Sequence, residues 1–273
     1  MTDLAIVIVS YNVRAELARA LQSLSDAPPV IPHEVIVVDN ASSDGSLQMV
    51  RERWPGIRTI DAGGNLGFSK ANNLGIRATS GEWVLLLNSD TFVPPGAIDA
   101  LVGHLRSRPE AAVAGPRLVD ADGRPEISFG PMIGPLNELR QKLRGRLYER
   151  GWGPVRRRVD AALRSVLEVD WVSGACLLVR RADAEAVGLL DERFFLYTED
   201  VDFCASIRAR GRTVRFVGTV EVQHLRGRSR TFDPGASRAA YRRSHLAFYA
   251  KHHPAWHRLL RWYLRARGEL PEG

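Results

Sequence analysis

Three carboxylates, Glu199, Asp200 and Asp202, crowd into one short segment directly after the aromatic run Phe194–Tyr197. A single acidic residue at the start of a predicted helix is explained by the helix dipole alone. Three acidic residues beside an aromatic wall offer burial and like-charge neighbours, and both raise a carboxyl pKa toward the range of a general base. The segment predicts that Asp200 removes a proton from a substrate hydroxyl, with Glu199 and Asp202 lining the same pocket.

Asp90 follows the apolar run Val84–Leu87, in the segment Asn88-Ser89-Asp90. A carboxylate at the end of a buried strand is costly to keep charged without a cation or strong donors. Mg²⁺ or Mn²⁺ commonly takes one or two protein carboxylates and completes its shell with phosphate oxygens and water. The segment therefore predicts that Asp90 binds a divalent metal. The competing interpretation is that Asp90 caps the helix that begins near Pro95.

His224 ends a short predicted strand and precedes a basic, glycine-containing loop. A lone histidine is more often a core or surface residue than a metal ligand. The arginines of the loop favour a metal–diphosphate site, because guanidinium groups bind phosphate oxygens and neutral imidazole binds metals. We expect His224 to join Asp90 at the metal and Arg228 and Arg230 to contact the diphosphate.

Two polar loops carry candidates for nucleotide recognition. Asp39 opens the loop 39–46, and its carboxylate could accept the imide N–H that uracil and thymine expose and adenine lacks; helix capping is an equally good interpretation. The loop 63–73 has glycines that permit a close backbone approach to a ligand, although it matches neither a Walker loop nor GxGxxG. A structural turn remains the alternative there. The candidate donor-nucleotide residues are Ser10, Asn12, Asp39, Ser42, Asn65, Gly67, Asn72, Asn88 and Asp90.

The elements that must position these residues alternate between strand-like and helix-like segments over the first 120 residues. This alternation is typical of βαβ units and a mostly parallel sheet. The strand candidates 4–10, 34–39 and 83–88 are continuously apolar, as a sheet covered by helices on both faces requires. We expect a single Rossmann-like, doubly wound α/β sheet. Ligands bind beyond the carboxyl ends of such strands, and all three strand exits are polar.

The pattern predicts one catalytic domain over residues 1–235 and a small C-terminal extension of basic amphipathic helices over 236–273. Within the catalytic domain, the strand and helix pattern weakens over residues 120–168, which are rich in Gly, Pro and Arg. This change indicates an insertion or lid near an acceptor site. Cys176 and Cys204 lack CxxC spacing and a nearby histidine pair, so both are expected to be buried thiols.

Lysine and arginine outnumber aspartate and glutamate by 38 to 31, which gives a net charge of +7 and favours anionic partners. No helix-turn-helix, zinc-finger or stacking-platform motif accompanies the charge, so no nucleic-acid partner is expected. The longest apolar runs are too short to span a bilayer. Asp3 also interrupts any signal-peptide pattern, and we expect a cytoplasmic protein.

Aromatic and basic residues are interleaved over 237–267, a stretch without any acidic residue. This composition suits helices that lie on an anionic lipid surface, which predicts peripheral contact with the inner face of the cell membrane. Packing of the aromatic residues onto the catalytic domain is an equally good interpretation. The oligomeric state stays open, with a homodimer as one option.

Seven motifs, taken in order, resemble the family-2 inverting glycosyltransferases, and most closely the rhamnosyltransferase-like branch that builds bacterial cell-surface polysaccharides. The motifs are SYN at 10–12, VDNASSDGS at 38–46, NLGFSKANNLGI at 65–76, LLNSD at 86–90, WVSGACLLVRR at 171–181, FFLYTEDVDFCASIRARG at 194–211 and HLRGRS at 224–229. The resemblance covers roughly residues 4–253. It implies a GT-A fold and direct displacement at an anomeric carbon.

The resemblance also implies roles for individual residues. Asp39 would contact a pyrimidine base, Asp90 and His224 a divalent metal, Mg²⁺ or Mn²⁺, and Asp200 would be the catalytic base. Trp171 and Gly174 would lie near the acceptor pocket. The donor would be a dTDP- or UDP-linked sugar, rhamnose or another hexose, and the acceptor a hydroxyl of a glycan or a polyprenyl-diphosphate-linked glycan. Many family members carry Asp-x-Asp where this chain has Asn88-Ser89-Asp90, and a neutral Asn88 is the weaker metal ligand.

Two other classes fit parts of the sequence. A nucleotidyltransferase would share the α/β scaffold, but such enzymes usually have a glycine-rich basic loop after the first strand, where this chain has Ser10–Val13. A non-catalytic relative that only binds nucleotide sugars would have no need for Asp90, Asp200 and His224 together. The combination of these three residues favours an enzyme.

Overall fold

Apolar runs of the chain form a nine-stranded sheet with helices around it. A computed structural model describes residues 2–225 and 234–271. The strands are β1 (Leu4–Ser10), β2 (His33–Asp39), β3 (Arg58–Asp61), β4 (Trp83–Asn88), β5 (Thr91–Phe92), β6 (Ala111–Val119), β7 (Phe129–Gly130), β8 (Val166–Val169), β9 (Trp171–Val172), β10 (Cys176–Arg180) and β11 (Thr213–His224). The helices are α1 (Arg14–Asp26), α2 (Ser46–Arg53), α3 (Gly67–Arg77), α4 (Ala97–Arg106), α5 (Pro135–Glu149), α6 (Gly153–Leu163), α7 (Arg181–Ala186), α8 (Glu199–Ala209), α9 (Pro234–His252) and α10 (Pro254–Ala266).

The order of the main sheet is β3-β2-β1-β4-β10-β6-β11-β5, and β8 also pairs with β11. The remaining two strands, β7 and β9, pair with each other in a separate two-stranded sheet. The first four of these strands are parallel neighbours, as expected from the βαβ alternation. β10 lies antiparallel between β4 and β6, and β11 runs parallel to β6. The expected mostly parallel α/β sheet is confirmed, and the antiparallel β10 is a feature that its apolar sequence alone does not reveal.

Both faces of the sheet are covered, as the continuous apolar strands predicted. Successive side chains of a strand point to opposite faces. Ile6 and Ile8 pack into one buried cluster together with Leu17 of α1, whereas Val7 between them packs into a second cluster with Phe203 of α8. All five side chains are fully buried.

The segment 120–168 and the C-terminal helices are only partly separate from this core. Although β8 falls in the expected insertion, it pairs with β11 and extends the main sheet. In α9, Phe248 and Tyr249 are buried in a cluster with Phe194 and Val201, so this helix packs on the sheet domain. The proposed division at residue 235 stays a prediction.

Cys176 and Cys204 are both buried and unpaired, as expected. Burial raises the pKa of each thiol to about 12, which keeps both protonated and unreactive at neutral pH. Within the described ranges, no helix is at once long enough and apolar enough to cross a bilayer.

Candidate active site

A cleft of about 390 Å³ opens at the carboxyl ends of β1 and β4. Tyr11 and Asn88, which follow or end these strands, both line it. The polar strand exits therefore meet at one edge of the sheet, where ligands bind in α/β folds. The predicted site residues in the cleft wall are Asn65, Gly67, Asn88, Asp90, Gly174, Glu199, Asp200 and His224.

Asp90 and His224 meet at one end of this cleft. The pairing of β5 with β11 places Thr91 opposite His224, and Leu225 donates its N–H to the carbonyl of Asp90 at 2.9 Å. His224 Nε2 consequently lies 3.2 Å from Asp90 Oδ1 and 3.4 Å from Asn88 Nδ2. Two potential metal ligands from distant parts of the sequence face each other, as the sequence predicted.

The opposite ring nitrogen of His224 contacts a carboxylate that the sequence reasoning missed. Glu126 Oε2 lies 3.1 Å from His224 Nδ1, and the Glu126 side chain is almost fully buried. The chain turns back at Asp120 and Gly123, so Glu126 returns beside the end of β6, which is next to β11. The Asp-Ala-Asp-Gly turn signal after β6 was the available clue to this return.

These contacts fit a divalent cation bound by two protein ligands. A carboxylate on Nδ1 fixes the ring so that Nε2 points at the metal position, a common arrangement at metal-bound histidines. Burial opposes a charge on the ring, but the hydrogen bonds with Asp90 and Glu126 outweigh it and raise the pKa of His224 to about 9. This end of the cleft therefore favours positive charge.

The described ranges contain no group of three or more His, Cys, Asp or Glu side chains arranged to hold a metal. A pair of protein ligands leaves most coordination positions to other oxygens. Mg²⁺ and Mn²⁺ sites of this kind are completed by substrate phosphates and water. The donor set thus suits a metal that binds together with a diphosphate.

Asp200 lines the same cleft from the first turn of α8. Its Oδ2 accepts the N–H of Gly174 at 2.8 Å, and its Oδ1 accepts the N–H of Val201 at 2.8 Å. A methyl group at Gly174 would lie 3.3 Å from Asp200 Cβ, so a residue without a side chain suits this contact. Burial raises the pKa of Asp200 and prevails over the backbone hydrogen bonds that lower it.

Glu199 lines the same cleft and is only 6% exposed. Its Oε2 is buried and has no hydrogen-bond partner within the part of the chain that the structure describes. Burial, and then the neighbouring Asp200, raise its pKa well above the ordinary value of a glutamate. A protonated Glu199 could donate a hydrogen bond to a ligand hydroxyl.

The turn before α8 is strained. Tyr197 and Thr198 both have left-handed backbone angles, with φ of 72° and 63°. Such angles cost about 1 kcal/mol or more for non-glycine residues and concentrate at functional sites. The start of α3 holds this turn in place, because Phe68 donates its N–H to the carbonyl of Phe195 at 2.7 Å. A Cβ at Gly67 would lie 2.4 Å from that oxygen, so only glycine fits there.

The predicted base-recognition residue Asp39 lies beside the cleft rather than in its wall. Its Oδ2 accepts the N–H of Ser42, whereas Oδ1 is buried without a hydrogen-bond donor in the described ranges. Ser42 Oγ accepts the N–H of Asn12, which ties the loops after β1 and β2 together. Ser10 pairs with Asp39 across the two strands and is fully buried. Asp39 Oδ1 therefore remains available as an acceptor for a ligand N–H.

Asp202 is placed away from the predicted acceptor pocket. Its carboxylate oxygens contact Lys251 Nζ at 2.8 Å and His252 Nε2 at 2.6 Å. Residues two positions apart point to different sides of a helix, which explains why Asp200 lines the cleft and Asp202 does not. Asp202 anchors α9 to α8.

Three further predictions have different outcomes. Asn72 is buried and donates to the carbonyl of Phe68 within α3, so it does not line the cleft. Trp171 donates its ring N–H to the carbonyl of Pro131 and packs in the cluster around Phe194, beside the cleft. Arg228 and Arg230 lie outside the described residues.

Comparison with known sequences gives a consistent result. Residues 5–169 match the family described as "Glycosyl transferase family 2". The N-acetylglucosaminyl-diphospho-decaprenol L-rhamnosyltransferase of Mycobacterium tuberculosis is 36% identical over 97% of this chain and 90% of its own length. The low-salt glycan biosynthesis hexosyltransferase Agl10 of Haloferax volcanii is 28% identical over 82% of this chain and 67% of its own length.

Solved structures support the fold. A mannosyltransferase of Pyrobaculum calidifontis in complex with GDP-Man and Mn²⁺ superposes with a TM-score of 0.62, at 17% identity over 95% of this chain and 70% of that one. GalNAc-T7 with UDP, GalNAc and Mn²⁺ gives a TM-score of 0.61, at 16% identity over 83% of this chain and 44% of that one. Both are GT-A glycosyltransferases, so the expected GT-A fold is confirmed.

Proposed function

The chain belongs to glycosyl transferase family 2, and we propose that it transfers L-rhamnose or another hexose from a pyrimidine nucleoside diphosphate to a hydroxyl of a lipid-linked glycan. One observation carries the proposal: Asp200 and the Asp90–His224 pair line a single cleft. The name of the relative with 36% identity supports the choice of sugar and acceptor.

Asp200 acts as the catalytic base. Its carboxylate takes the proton of the acceptor hydroxyl while that oxygen forms a bond to the anomeric carbon of the donor. The bond from this carbon to the diphosphate oxygen breaks, the nucleoside diphosphate leaves, and the configuration inverts. The N–H groups of Gly174 and Val201 hold the carboxylate in one orientation, and its raised pKa strengthens it as a proton acceptor.

Asp90 and His224 would hold the divalent metal, with Glu126 orienting the imidazole through Nδ1. A bound Mg²⁺ or Mn²⁺ supplies positive charge that stabilises the leaving diphosphate. Asn88 Nδ2 lies 3.4 Å from His224 Nε2, and the side-chain amide of Asn88 offers a neutral oxygen instead of a second carboxylate. The pair therefore depends on phosphate oxygens of the donor to complete the metal shell.

Two carboxyl groups recognise the donor. Asp39 Oδ1, beside the cleft, accepts the imide N–H of thymine or uracil, which selects against adenine. Burial raises the pKa of Glu199, and its protonated form donates its O–H to a hydroxyl of the donor sugar. A buried group that is left without its partner costs about 1–3 kcal/mol, so a sugar that lacks that hydroxyl binds less well.

Transfer and donor binding measured on Asp200→Asn test the proposal. Radiolabelled dTDP-rhamnose and UDP-hexoses are the donors, with a polyprenyl-diphosphate N-acetylglucosamine as acceptor. We expect transfer to fall by roughly a thousandfold, the middle of the range for general-base catalysis. The thermal shift caused by dTDP or UDP with Mn²⁺ should persist, because the variant keeps Asp90 and His224 unchanged.

The matched control is Asp26→Asn, an exposed position in α1 away from the cleft, which should behave as the wild type. Substantial transfer by Asp200→Asn would assign the base to another group. Stabilisation of the wild type by adenine nucleotides alone would contradict the pyrimidine donor.

A further inference from the structure

Large apolar side chains are exposed along two helices, α5 and α10. Each is 44–70% exposed, and they are Leu136, Leu139, Leu143, Trp256, Leu259, Trp262 and Tyr263. Single exposed apolar residues are common on protein surfaces, but clusters of this size mark interaction sites. We call these seven residues the α5–α10 face.

The leucines of α5 point away from the protein body. Leu136, Leu139 and Leu143 follow helical spacing and share one side of the helix. Glu138 marks the opposite side, where it hydrogen-bonds to His245 and Tyr249 of α9. The inner side of α5 is therefore already packed, and the leucine side faces solvent.

In α10 the exposed aromatic residues also occupy one stripe. Leu260 and Leu264 form the inner side: Leu264 is fully buried and Leu260 packs on the cluster that contains Phe248. Trp262 is the most exposed residue of the outer stripe, at 68%. Like α5, this helix has an apolar side without a covering element in the described part of the chain.

The two helices start from the same point. His253, directly before α10, contacts the carbonyl of Ile133 at 2.8 Å through Nε2, and Ile133 lies two residues before α5. A Cβ at Gly134 would lie 3.4 Å from the same ring nitrogen. The first exposed residues, Leu136 and Trp256, each follow within one helical turn of this junction, so the two stripes begin close to each other.

The charge beside both stripes is basic. Residues 140–146 of α5 contain Arg140, Lys142, Arg144 and Arg146, and α10 contains Arg258, Arg261 and Arg265 without any acidic residue. The one acid in the first turn of α5, Glu138, is turned inward. Apolar stripes bordered by basic side chains match the interface of a bilayer with anionic lipids.

We propose that the α5–α10 face docks on the anionic surface of a lipid bilayer. The inference rests on the proposed function, since a lipid-linked acceptor stays at that surface. The face is connected to the catalytic helix, because Phe248 and Tyr249 of α9 pack against Val201, the residue after Asp200, and against Trp171. This packing links the α5–α10 face, through α9, to the start of the helix that carries Asp200.

Vesicle flotation of the full chain tests this inference. The vesicles contain phosphatidylglycerol with phosphatidylcholine, or phosphatidylcholine alone. We expect the wild type to float with the anionic vesicles and only weakly with the neutral ones. The double variants Leu139→Gln/Leu143→Gln and Leu259→Gln/Trp262→Gln should each weaken partitioning about tenfold or more, since each removes two inserted apolar side chains.

Val30→Gln is the matched control, because Val30 is 90% exposed in a loop remote from both helices, and it should float as the wild type does. Wild-type protein that stays unbound with anionic vesicles, or two double variants that bind as well as wild type, would overturn the inference. So would sedimentation in which the wild type is a dimer and the double variants are monomers, because a second copy would then cover the face.

The thermal shift by dTDP or UDP with Mn²⁺, measured without vesicles, separates this inference from the proposed function. A retained shift without flotation overturns the docking surface alone. Flotation without any shift overturns the donor assignment alone.

Discussion

Two groups of residues in the cleft handle charge in opposite ways. Around Asp90 and His224, the proposed metal end, two carboxylates flank His224 and raise its pKa to about 9, so positive charge is stabilised there. Around Glu199 and Asp200, the proposed base end, the carboxyl groups lack a cationic partner in the described ranges, and burial raises their pKa values instead. The contrast shows how one cleft can favour a positive charge at one group and a bound proton at another.

Among the substitutions that test this contrast, the one at His224 is expected to have the largest effect. His224→Ala removes one of two protein ligands, and Mn²⁺ affinity in the presence of dTDP or UDP should fall by about a hundredfold or more. Electron paramagnetic resonance of free Mn²⁺ gives the affinity directly. His33→Ala at the far end of β2 serves as the matched control and should bind Mn²⁺ as the wild type does. Unchanged affinity in His224→Ala would remove the metal from this end of the cleft.

A smaller effect is expected at Glu126, which contacts His224 but not the metal position. Glu126→Gln weakens the orientation of the ring, and Mn²⁺ affinity should fall about tenfold, at the lower end of the range for such partners. The matched control is Glu138→Gln, which also removes a carboxylate bound to a histidine, His245, but away from the cleft. Equal losses in both variants would indicate a general effect on stability.

The smallest effect concerns Glu199 and sharpens the description of the base end. The folded state raises its pKa, so the folded chain holds this proton more tightly than the unfolded chain does. The free energy of unfolding then declines as pH rises from the unfolded pKa through the raised folded pKa. Glu199→Gln cannot ionise, so its Tm should exceed that of wild type by about 2–4 °C at pH 8.

At pH 3 the difference should almost disappear, because Glu199 is then largely protonated in both states. Scanning calorimetry at the two pH values makes the measurement, and Glu52→Gln, an exposed position in α2, is the control. A variant that is less stable than wild type at pH 8 would show that Glu199 is ionised and paired in the folded state.

The sequence predicted the parts of the fold that have local signals. Continuous apolar runs identified β1, β2 and β4 and their polar exits, which is why Asp90 and the loop after Asp39 were placed at the edge of the sheet correctly. The antiparallel β10 has the same kind of apolar run, so its direction was not readable. The two-residue β5, whose pairing with β11 joins Asp90 and His224, is too short to leave a pattern.

The side-chain partners were harder to predict because they depend on long-range packing. Glu126 lies in a segment without a recognisable motif and reaches His224 only because the chain turns back after β6. Asp202 looked equivalent to Asp200 in the sequence, yet its direction on α8 takes it to Lys251 and His252. Two neighbouring acidic residues of one helix can thus have different roles: Asp200 lines the cleft, whereas Asp202 holds α9 against α8.

The position of Mn²⁺ in a crystal of the chain grown with dTDP or UDP tests the central claim most directly. We expect an anomalous Mn²⁺ peak within coordination distance of Asp90 Oδ1 and His224 Nε2, with the diphosphate beside it and the nucleotide extending toward Asp39. Asp200 should face the terminal phosphate, to which the sugar of the donor would be attached. A metal peak elsewhere, or a diphosphate bound away from both residues, would contradict the assignment.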